Sequence, residues 1–311
     1  MREPQPHQPV LYNEIIHALQ PRRAGRYVDC TVGAGGHARG ILEASQPDGL
    51  LLGIDLDPVA LQIAGERLNL FRERVHLIQA SYTTLRAQLQ VLGWETVDGI
   101  LIDLGVSSMQ LDTPERGFSF LKEADLDMRF SPSIPMSAMD LVNMLPEEEL
   151  ADIIYRFGEE RRSRRIAQAI IRARPVHTTT QLAQLVAQST SSGKPGRHPA
   201  TRTFQALRIA VNRELDALQE GLPQAVASLG VGGRLAVIAY HSLEDRIVKQ
   251  YFRKESTDCI CPPRQPICTC GHKATIKEVN RKPIRPSVEE TQSNPRARSA
   301  RLRLVEKLGP R

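Results

Sequence analysis

The chain has 311 residues, 41% of them hydrophobic, and a formal net charge of +6. This length allows one large domain or two modest ones, and the mild basic excess favours a polyanionic partner without identifying it. No apolar run reaches the length of a membrane span, and the polar segment 1–9 has no signal-peptide core. With five cysteines, an odd number that argues against a secreted disulfide framework, we expect a cytoplasmic protein with no membrane partner.

The first 110 residues alternate between short apolar runs and helical patterns. This alternation predicts a parallel sheet that binds ligands at the carboxyl ends of its strands. The expected helices begin near Tyr12, His37 and Pro58, and another passes through Leu85 and Leu89. The four expected strands end at or near Asp29, Asp55, Ile78 and Leu104.

The segment from Tyr27 to His37 is the most informative part of the chain. An apolar strand ending in Asp29 runs directly into a turn that contains Gly33 and Gly35. Asp55 ends the second strand about twenty residues after this turn, as in nucleotide-binding α/β folds. Because the glycine spacing also satisfies the dinucleotide fingerprint, this pattern alone leaves a nicotinamide cofactor open.

Asp29 helps to distinguish the two cofactors. A carboxylate buried at the end of a strand is costly unless a partner offsets its charge. S-adenosylmethionine carries an ammonium and a sulfonium, whereas a dinucleotide presents a pyrophosphate that binds helix N–H groups. Asp29 therefore favours S-adenosylmethionine, while Asp55 can accept hydrogen bonds from the ribose hydroxyls of either ligand.

A different pattern follows Asp112, and no further buried strand is expected until Arg234–Ala239. Helical patterns fill the interval, including one expected long helix from Thr201 through Leu218 and a further helix from Pro223. We therefore expect a discontinuous sheet domain, 1–110 plus 205–311. The remaining segment, 111–204, is expected to be an inserted helical domain for substrate recognition.

Two arginine clusters allow two interpretations. Each is either a solvated face of a helix or strand, or a contact surface for a nucleic-acid backbone. The first cluster contains Arg161, Arg162, Arg164 and Arg165, and the second contains Arg296, Arg298, Arg301 and Arg303.

Asp103 and His241 are the candidates for catalysis. Asp103 ends the fourth strand, where a carboxylate that accepts an amine N–H would localise the nitrogen lone pair and take up developing positive charge. A capping or cofactor-holding role for Asp103 is the alternative. His241 follows the fifth strand and either contacts a base or phosphate or serves as a structural residue. No cysteine lies near the fourth strand, so we expect direct displacement rather than a covalent enzyme intermediate.

The cysteines near the C-terminal end of the chain form two close pairs. In a reducing compartment, four thiolates at this spacing suit a closed structural zinc site. Free thiols or redox pairing in a peripheral loop are the alternatives, since C-x-C is less diagnostic than C-x-x-C. The pairs are Cys259-x-Cys261 and Cys268-x-Cys270.

Six motifs spread over nearly the whole chain point to one family. They are His7-x-Pro9-Val10-Leu11, Thr31-x-Gly33-x-Gly35-Gly36-His37, Asp55-x-Asp57-Pro58, Asp103-Leu104-Gly105-Val106-Ser107-Ser108, Tyr240-His241-Ser242-Leu243-Glu244-Asp245-Arg246 and Asn294-Pro295-Arg296-Ala297-Arg298-Ser299. Together they resemble the bacterial MraW family of ribosomal small-subunit methyltransferases. Members of that family methylate N4 of a cytosine in 16S rRNA at the ribosomal decoding centre.

The resemblance implies a class I S-adenosylmethionine-dependent methyltransferase, which is a Rossmann-like α/β fold with a mostly parallel sheet and an inserted α-helical domain. It implies S-adenosylmethionine as the methyl donor and 16S rRNA within the 30S subunit as the substrate. A homodimer is a further hypothesis. Carried across by motif, the cofactor contacts fall on Gly35, Gly36, His37, Asp55, Tyr82, Asp103 and Gln110.

The resemblance does not identify the group that activates the amine. The signature that many amino-methyltransferases carry after the fourth strand, Asp/Asn-Pro-Pro-aromatic, is absent here, where the chain reads Asp103-Leu104-Gly105-Val106. Many relatives have phenylalanine at the position of Tyr82, and ring stacking on adenine survives that change.

Overall fold

The structure is a computed structural model that describes residues 9–190, 198–262, 265 and 267–310. His7 of the first motif lies outside the described residues. The chain divides into two compact units, of which the first comprises Met1–Gly105 and Asp216–Arg311 and the second comprises Val106–Leu215. The second unit thus begins at 106 rather than at 111 and ends at 215 rather than at 204.

One sheet organises the first unit. Its strands are β1 (Arg26–Asp29), β2 (Leu50–Asp55), β3 (Val75–Gln79), β4 (Val97–Asp103), β5 (Leu229–Ala239), β6 (Ile276–Glu278) and β7 (Arg301–Lys307). Strands β2, β4 and β5 carry buried apolar runs, as expected where both faces of a sheet are buried, whereas β3 at the edge has no buried residue.

The strand order is β3-β2-β1-β4-β5-β7-β6. Strands β1 to β5 run parallel to one another. Strand β7 pairs antiparallel with both β5 and β6. The direction of the strand order reverses between β1 and β4, so the carboxyl ends of these two strands flank the topological switch point. Ligands of open α/β sheets bind at this point, and here it carries Asp29 and Asp103.

Two apolar clusters cover the two faces of the sheet. Val28, Leu52 and Ile100 belong to one cluster, and Leu51 and Leu101 belong to the other. Successive residues of a strand point to opposite faces, so the two clusters bury both sides of the central strands. The strand ends are therefore held rigidly, and so are the side chains that follow them.

Some helices begin at the expected start signals, such as Asp57 and Pro58 at the start of the third helix. None of the helices in the described part of the chain is both long and apolar enough to cross a membrane. In chain order they are α1 (Tyr12–Leu19), α2 (Gly36–Ala44), α3 (Pro58–Arg67), α4 (Leu85–Val91), α5 (Ser108–Asp112), α6 (Ala138–Met144), α7 (Glu147–Gly158), α8 (Ser163–Arg172), α9 (Thr179–Ser189), α10 (Thr201–Asn212), α11 (Glu214–Ser228), α12 (Ser242–Glu255) and α13 (Val288–Ser293).

Helix α10 belongs to the second unit because it packs closely on α7. A Cβ atom at Gly158, the last residue of α7, would lie 2.6 Å from the backbone oxygen of Arg202 in α10. Only glycine allows this approach of two backbones. Phe204 and Leu207 of α10 join the apolar core of the unit, which explains why its boundary lies beyond 204.

The predicted single helix from Thr201 through Leu218 is wrong. Helix α10 ends at Asn212 and α11 begins at Glu214, because Arg213 adopts a left-handed conformation with φ of 50°. The side chain of Asn212 donates a hydrogen bond to the Met128 oxygen (2.8 Å) and accepts one from the Phe130 N–H (2.7 Å). These tertiary bonds fix the end of α10, a cause that apolar periodicity cannot reveal.

The predicted helix start at Pro223 is also wrong. Helix α11 runs through Gly221 and Pro223 to Ser228 without a break. Proline lacks the N–H that an interior helical position donates, so its presence predicted a boundary. Packing of Leu218, Leu222 and Val226 against the sheet overrides this local preference.

Candidate active site at the carboxyl edge of the sheet

The turn after β1 has the backbone conformation that its glycines predict. Gly33 and Gly35 have φ angles of 51° and 76°, in the left-handed region that side chains disfavour. Gly36 begins α2, and a Cβ atom there would lie 2.4 Å from the Pro9 ring. The glycines therefore allow a tight turn whose backbone a ligand can approach closely.

Asp55 ends β2 beside this turn. Its Oδ2 accepts a hydrogen bond from the Gly33 N–H (2.8 Å), and its Oδ1 accepts one from the Asp57 N–H (2.9 Å). Burial raises the pKa of Asp55, and the two backbone donors oppose that rise. Each carboxylate oxygen keeps a second lone pair, so Asp55 can still accept hydrogen bonds from a ribose diol.

Asp29 is buried at the end of β1, with 1% of its surface exposed. Its Oδ1 accepts a hydrogen bond from the Thr31 N–H at 3.2 Å. Burial, together with the nearby negative charges of Asp103 and Asp55, raises the pKa of Asp29 to about 8. Three carboxyl groups thus crowd one sheet edge, and a cationic ligand group would offset their repulsion.

Asp103 lies at the end of β4 and is held in place by its neighbours. Its backbone N–H donates to Thr31 Oγ1 (2.7 Å), and the Tyr240 hydroxyl donates to its Oδ1 (2.9 Å). Burial and the nearby charge of Glu244 raise the pKa of Asp103 to about 7, against the effect of the Tyr240 hydrogen bond. The side chain keeps 24% of its surface exposed, so a ligand can still reach it.

His37 lies buried in the first turn of α2, stacked on Tyr12 with ring centroids 6.2 Å apart. Burial lowers the pKa of His37 to about 4, although the backbone of Val10 opposes part of this shift. Its Nε2 lies 3.8 Å from Asp103 Oδ2. Neither the contact with Val10 nor that with Asp103 meets full hydrogen-bond geometry within the described residues, so this neutral imidazole can still pair with a bound ligand.

His241 is the N-cap of α12. Its Nδ1 accepts a hydrogen bond from the Glu244 N–H (3.4 Å), and its Nε2 lies 3.0 Å from Glu244 Oε1. Glu244 also accepts hydrogen bonds from the backbone N–H groups of Tyr240 and His241 (2.8 and 3.2 Å). Nδ1 thus caps α12, whereas Nε2 has no hydrogen bond of full geometry within the described residues, so a capping role accounts for one ring nitrogen only.

The sequence interpretation missed Tyr240 and Glu244 as residues of the site. Tyr240 holds Asp103, and burial next to Asp103 raises the pKa of the phenol, which therefore stays a hydrogen-bond donor at neutral pH. Glu244 is 2% exposed and fixes the turn that carries Tyr240. The available signal was the polar run 240–246 directly after a buried strand. Within it only His241 was predicted as a site residue, whereas Glu244 was predicted to open a helix, as it does in α12.

Two other predicted cofactor contacts lie in different surroundings. Tyr82 follows β3 in the first unit and packs against Gly221, where a Cβ atom would lie 2.4 Å from the tyrosine ring. Gln110 lies in α5 of the second unit, and its Oε1 accepts a hydrogen bond from the Ser107 N–H at 3.1 Å. The first unit therefore places Gly35, Gly36, His37, Asp55 and Asp103 in the turn after β1, at the start of α2 and at the ends of β2 and β4, whereas Gln110 belongs to the other unit.

The two arginine clusters differ in structure. In the first, at the start of α8, all four arginines are exposed. In the second, Arg301 and Arg303 bind the carboxylate of Asp245 at 3.0 and 2.7 Å, and Arg303 is 5% exposed. At least half of the second cluster thus stabilises the fold by joining β7 to α12.

The cysteine pairs lie in the loop between α12 and β6. The four Sγ atoms all lie within 4.8 Å of one another. Cys30, by contrast, is buried in the turn after β1. These distances bring the two pairs together as the spacing predicts.

The sheet order with its antiparallel β7, the glycine turn after β1 and the carboxylate that ends β2 define a class I S-adenosylmethionine-dependent methyltransferase. The chain belongs to the MraW methylase family, whose model matches residues 4–308. The nicotinamide interpretation of the glycine turn is thereby superseded, and the cofactor of the class is S-adenosylmethionine.

Sequence similarity to other proteins extends over nearly the full chain. A protein of Dehalococcoides mccartyi, named ribosomal RNA small subunit methyltransferase H, is 54% identical over 304 residues, which cover 97% of this chain and 87% of that protein. A protein of the same name from Syntrophotalea carbinolica is 53% identical over 99% of both chains. Among solved structures, a putative rRNA methylase from Clostridium thermocellum is 12% identical, covers 98% of this chain and 100% of its own, and has a TM-score of 0.44.

Proposed function

We propose that this protein transfers a methyl group from S-adenosylmethionine to N4 of a cytosine in 16S rRNA, at the decoding centre of the small subunit. The family match across residues 4–308 supports the substrate class, as do the names of relatives that are about half identical. The observation that carries the chemistry is the Asp103–Tyr240 pair at the carboxyl end of β4, where a carboxyl group has a pKa of about 7.

The residues of the first unit fit the cofactor. Asp55 would accept hydrogen bonds from the ribose hydroxyls, and Asp29 would face positive charge rather than other carboxylates. The buried imidazole of His37, which has no hydrogen bond of full geometry within the described residues, and the turn at Gly35 suit a ligand that binds close to the backbone. Tyr82 would stack on the adenine ring. For Gln110, in the second unit, the motif alone supports a cofactor contact.

Asp103 would activate the amine by hydrogen bonding. The bound cofactor supplies an electrophilic methyl group on its sulfonium. The lone pair of a cytosine amine is delocalised into the ring, and a carboxylate that accepts an amine N–H makes that pair more available. Tyr240 fixes the carboxylate through Oδ1, and a pKa near neutrality suits Asp103 to take the proton that the nitrogen must lose. Tyr240 is accordingly a positioning residue.

We place the substrate within the 30S subunit, because that is the particle in which the decoding centre takes shape. A polyanionic substrate agrees with the net charge of +6 and with the exposed arginines at the start of α8. Contacts from these arginines to phosphate would make binding weaken as the salt concentration rises.

Nucleoside mass spectrometry of rRNA from cells that lack this gene tests the proposal. N4-methylcytidine derived from 16S rRNA should be lost in these cells, restored by the wild-type gene and not restored by Asp103→Asn. An unchanged level of the nucleoside in the deletion strain contradicts the proposed target. A parallel assay with purified protein and labelled cofactor should show methylation of isolated 30S subunits, and label in another base would contradict the proposed N4 position.

A further inference from the structure

The loop between α12 and β6 contains a cluster of thiols that the methyl-transfer site does not use. The Sγ atoms of Cys259 and Cys268 lie 3.5 Å apart, those of Cys268 and Cys270 lie 3.6 Å apart, and those of Cys259 and Cys270 lie 3.9 Å apart. The Sγ of Cys261 completes the group within 4.8 Å. The four sulfurs thus surround a common centre.

These separations match a metal-centred tetrahedron rather than disulfides. With zinc–sulfur bonds of about 2.3 Å, the sulfurs of a four-thiolate zinc site lie about 3.8 Å apart. A disulfide requires sulfurs about 2.05 Å apart, little more than half of the distances observed here. The backbone therefore holds the cysteines at the spacing of a metal site, and all four are free thiols.

Among the described residues of the loop, hydrogen bonds close its base and link Gln265 to Pro262 and Thr269 farther out (3.0 and 2.7 Å). Its base is closed by hydrogen bonds from the Thr275 N–H to the Glu255 oxygen (2.9 Å) and from the Ala274 N–H to Asp258 Oδ1 (3.1 Å). Beyond this base the larger apolar side chains are exposed, with Ile260 at 44% and Ile267 at 75%. Because a loop of this length is uncommon without an internal core, the cluster is well placed to stabilise it.

Neighbouring groups support the cluster without competing for it. His272 is directed elsewhere, with Nδ1 2.8 Å from the Thr257 oxygen and Nε2 3.7 Å from Glu255 Oε2. The Ile260 N–H donates to Cys270 Sγ at 3.5 Å, the type of backbone contact that orients and stabilises a metal-bound thiolate. A metal ion bound by this cluster would therefore be coordinated by the four cysteines alone.

We propose that Cys259, Cys261, Cys268 and Cys270 bind one zinc ion in a closed structural site that holds the loop between α12 and β6. Four thiolates fill the tetrahedral shell, so the ion has no open position for substrate. Binding releases the thiol protons and couples metal affinity to the folding of the loop. The site is independent of the methyl-transfer reaction proposed above.

Metal analysis of the full-length protein tests the site directly. Protein purified under reducing conditions without chelators should contain about one zinc ion per chain by plasma mass spectrometry. The double variant Cys259→Ser/Cys268→Ser should lose this zinc. His272→Gln, a matched change beside the cluster, should keep it, and loss of zinc in His272→Gln would overturn the four-cysteine assignment.

Two further measurements make the result decisive. Replacement of zinc by cobalt should give the intense visible absorption of tetrahedral cobalt with sulfur ligands. Removal of the metal by a chelator should make the segment 256–275 sensitive to protease, while the protein still binds its cofactor. Failure of the reduced wild-type protein to bind added zinc would overturn the proposal. Disulfides among these cysteines in protein alkylated during cell lysis would overturn it as well.

Discussion

The first unit carries a cluster of acidic side chains at the edge of its sheet, and the second unit carries a cluster of exposed arginines. In the first unit Asp29, Asp55 and Asp103 end neighbouring strands, where burial raises the pKa of each carboxyl group. In the second unit Arg164 and Arg165 belong to a cluster of exposed arginines at the start of a helix whose other face lies in an apolar core. The acids are fixed by the sheet and its turns, whereas the arginines lie exposed at the start of α8.

The difference shows what each cluster can contribute. A buried carboxyl group with fixed hydrogen-bond partners can place a proton or a ligand atom within a fraction of an ångström. An exposed guanidinium on a long side chain instead contributes charge, and its effect is screened by salt. Substitutions in the two clusters should therefore change different measurements.

The largest effect is expected for Asp103→Asn. The amide keeps the shape of the side chain but cannot take up a proton, so kcat should fall about 10²- to 10⁴-fold. Cofactor affinity measured by calorimetry should change much less. Asp98→Asn is the matched control, because Asp98 lies at the amino-terminal end of the same strand and binds Arg22 there. Near wild-type turnover of Asp103→Asn would exclude Asp103 as the proton acceptor.

The next effect is expected for Asp55→Ala, which should weaken cofactor binding. Loss of a hydrogen bond to a charged group costs about 1.5–3 kcal/mol, equivalent to roughly 10- to 100-fold in Kd. Calorimetry with S-adenosylmethionine measures the change, and Asp48→Asn, an exposed acid of the same unit, provides the control. An unchanged Kd for Asp55→Ala would mean that the ribose binds elsewhere.

A smaller and salt-dependent effect is expected for Arg164→Gln/Arg165→Gln. If both side chains contact phosphate, the slope of log affinity against log salt concentration should decrease by about 1.4–1.8. Binding of 30S subunits at several salt concentrations measures the slope. The control Arg22→Gln/Arg23→Gln removes the same charge from exposed positions of the first unit. Equal slopes for the two double variants would assign the arginines of α8 to an ordinary solvated surface.

The pH dependence of stability without cofactor is a separate test, because it measures Tm rather than turnover or binding. Folding raises the pKa of Asp29 to about 8 and that of Asp103 to about 7, from an ordinary value of 3.8. At these two groups the folded state binds more protons, so their contribution to stability should decrease as the pH rises from about 4 to about 8 and level off above that range. His37, whose pKa falls from 6.5 to about 4, opposes this trend below about pH 6.5, so the net decrease should be clearest above that pH. Asp29→Asn should flatten this decrease in Tm measured by calorimetry. A wild-type Tm that rises from about pH 6.5 to about pH 8 would contradict the assigned direction of the shifts.

Local sequence patterns predicted the features that depend on backbone conformation and on the spacing of apolar residues. Glycines at 33 and 35 predicted the turn, and apolar runs ending in Asp29, Asp55 and Asp103 predicted a parallel sheet with acids at one edge. These features follow from conformational preference and periodicity, which neighbouring residues determine.

Features that depend on distant residues were harder to predict. The break at Arg213 is fixed by bonds from Asn212 to residues more than eighty positions earlier. The partnership of Tyr240 with Asp103 joins residues 137 positions apart, and no local pattern reveals it. Arg303 forms an ion pair with Asp245 rather than facing solvent, and this contact likewise depends on the packing of β7 against α12.

The position of β7 in the sheet has a consequence for biosynthesis. This strand is the last in chain order, yet it lies between β5 and β6. Until Arg301–Lys307 has left the exit tunnel, β5 of a nascent chain can pair with β4 but has an unpaired second edge, and such an open strand edge invites aggregation. Chaperone dependence during translation, and intolerance of truncation before Arg301, should therefore be properties of this polypeptide.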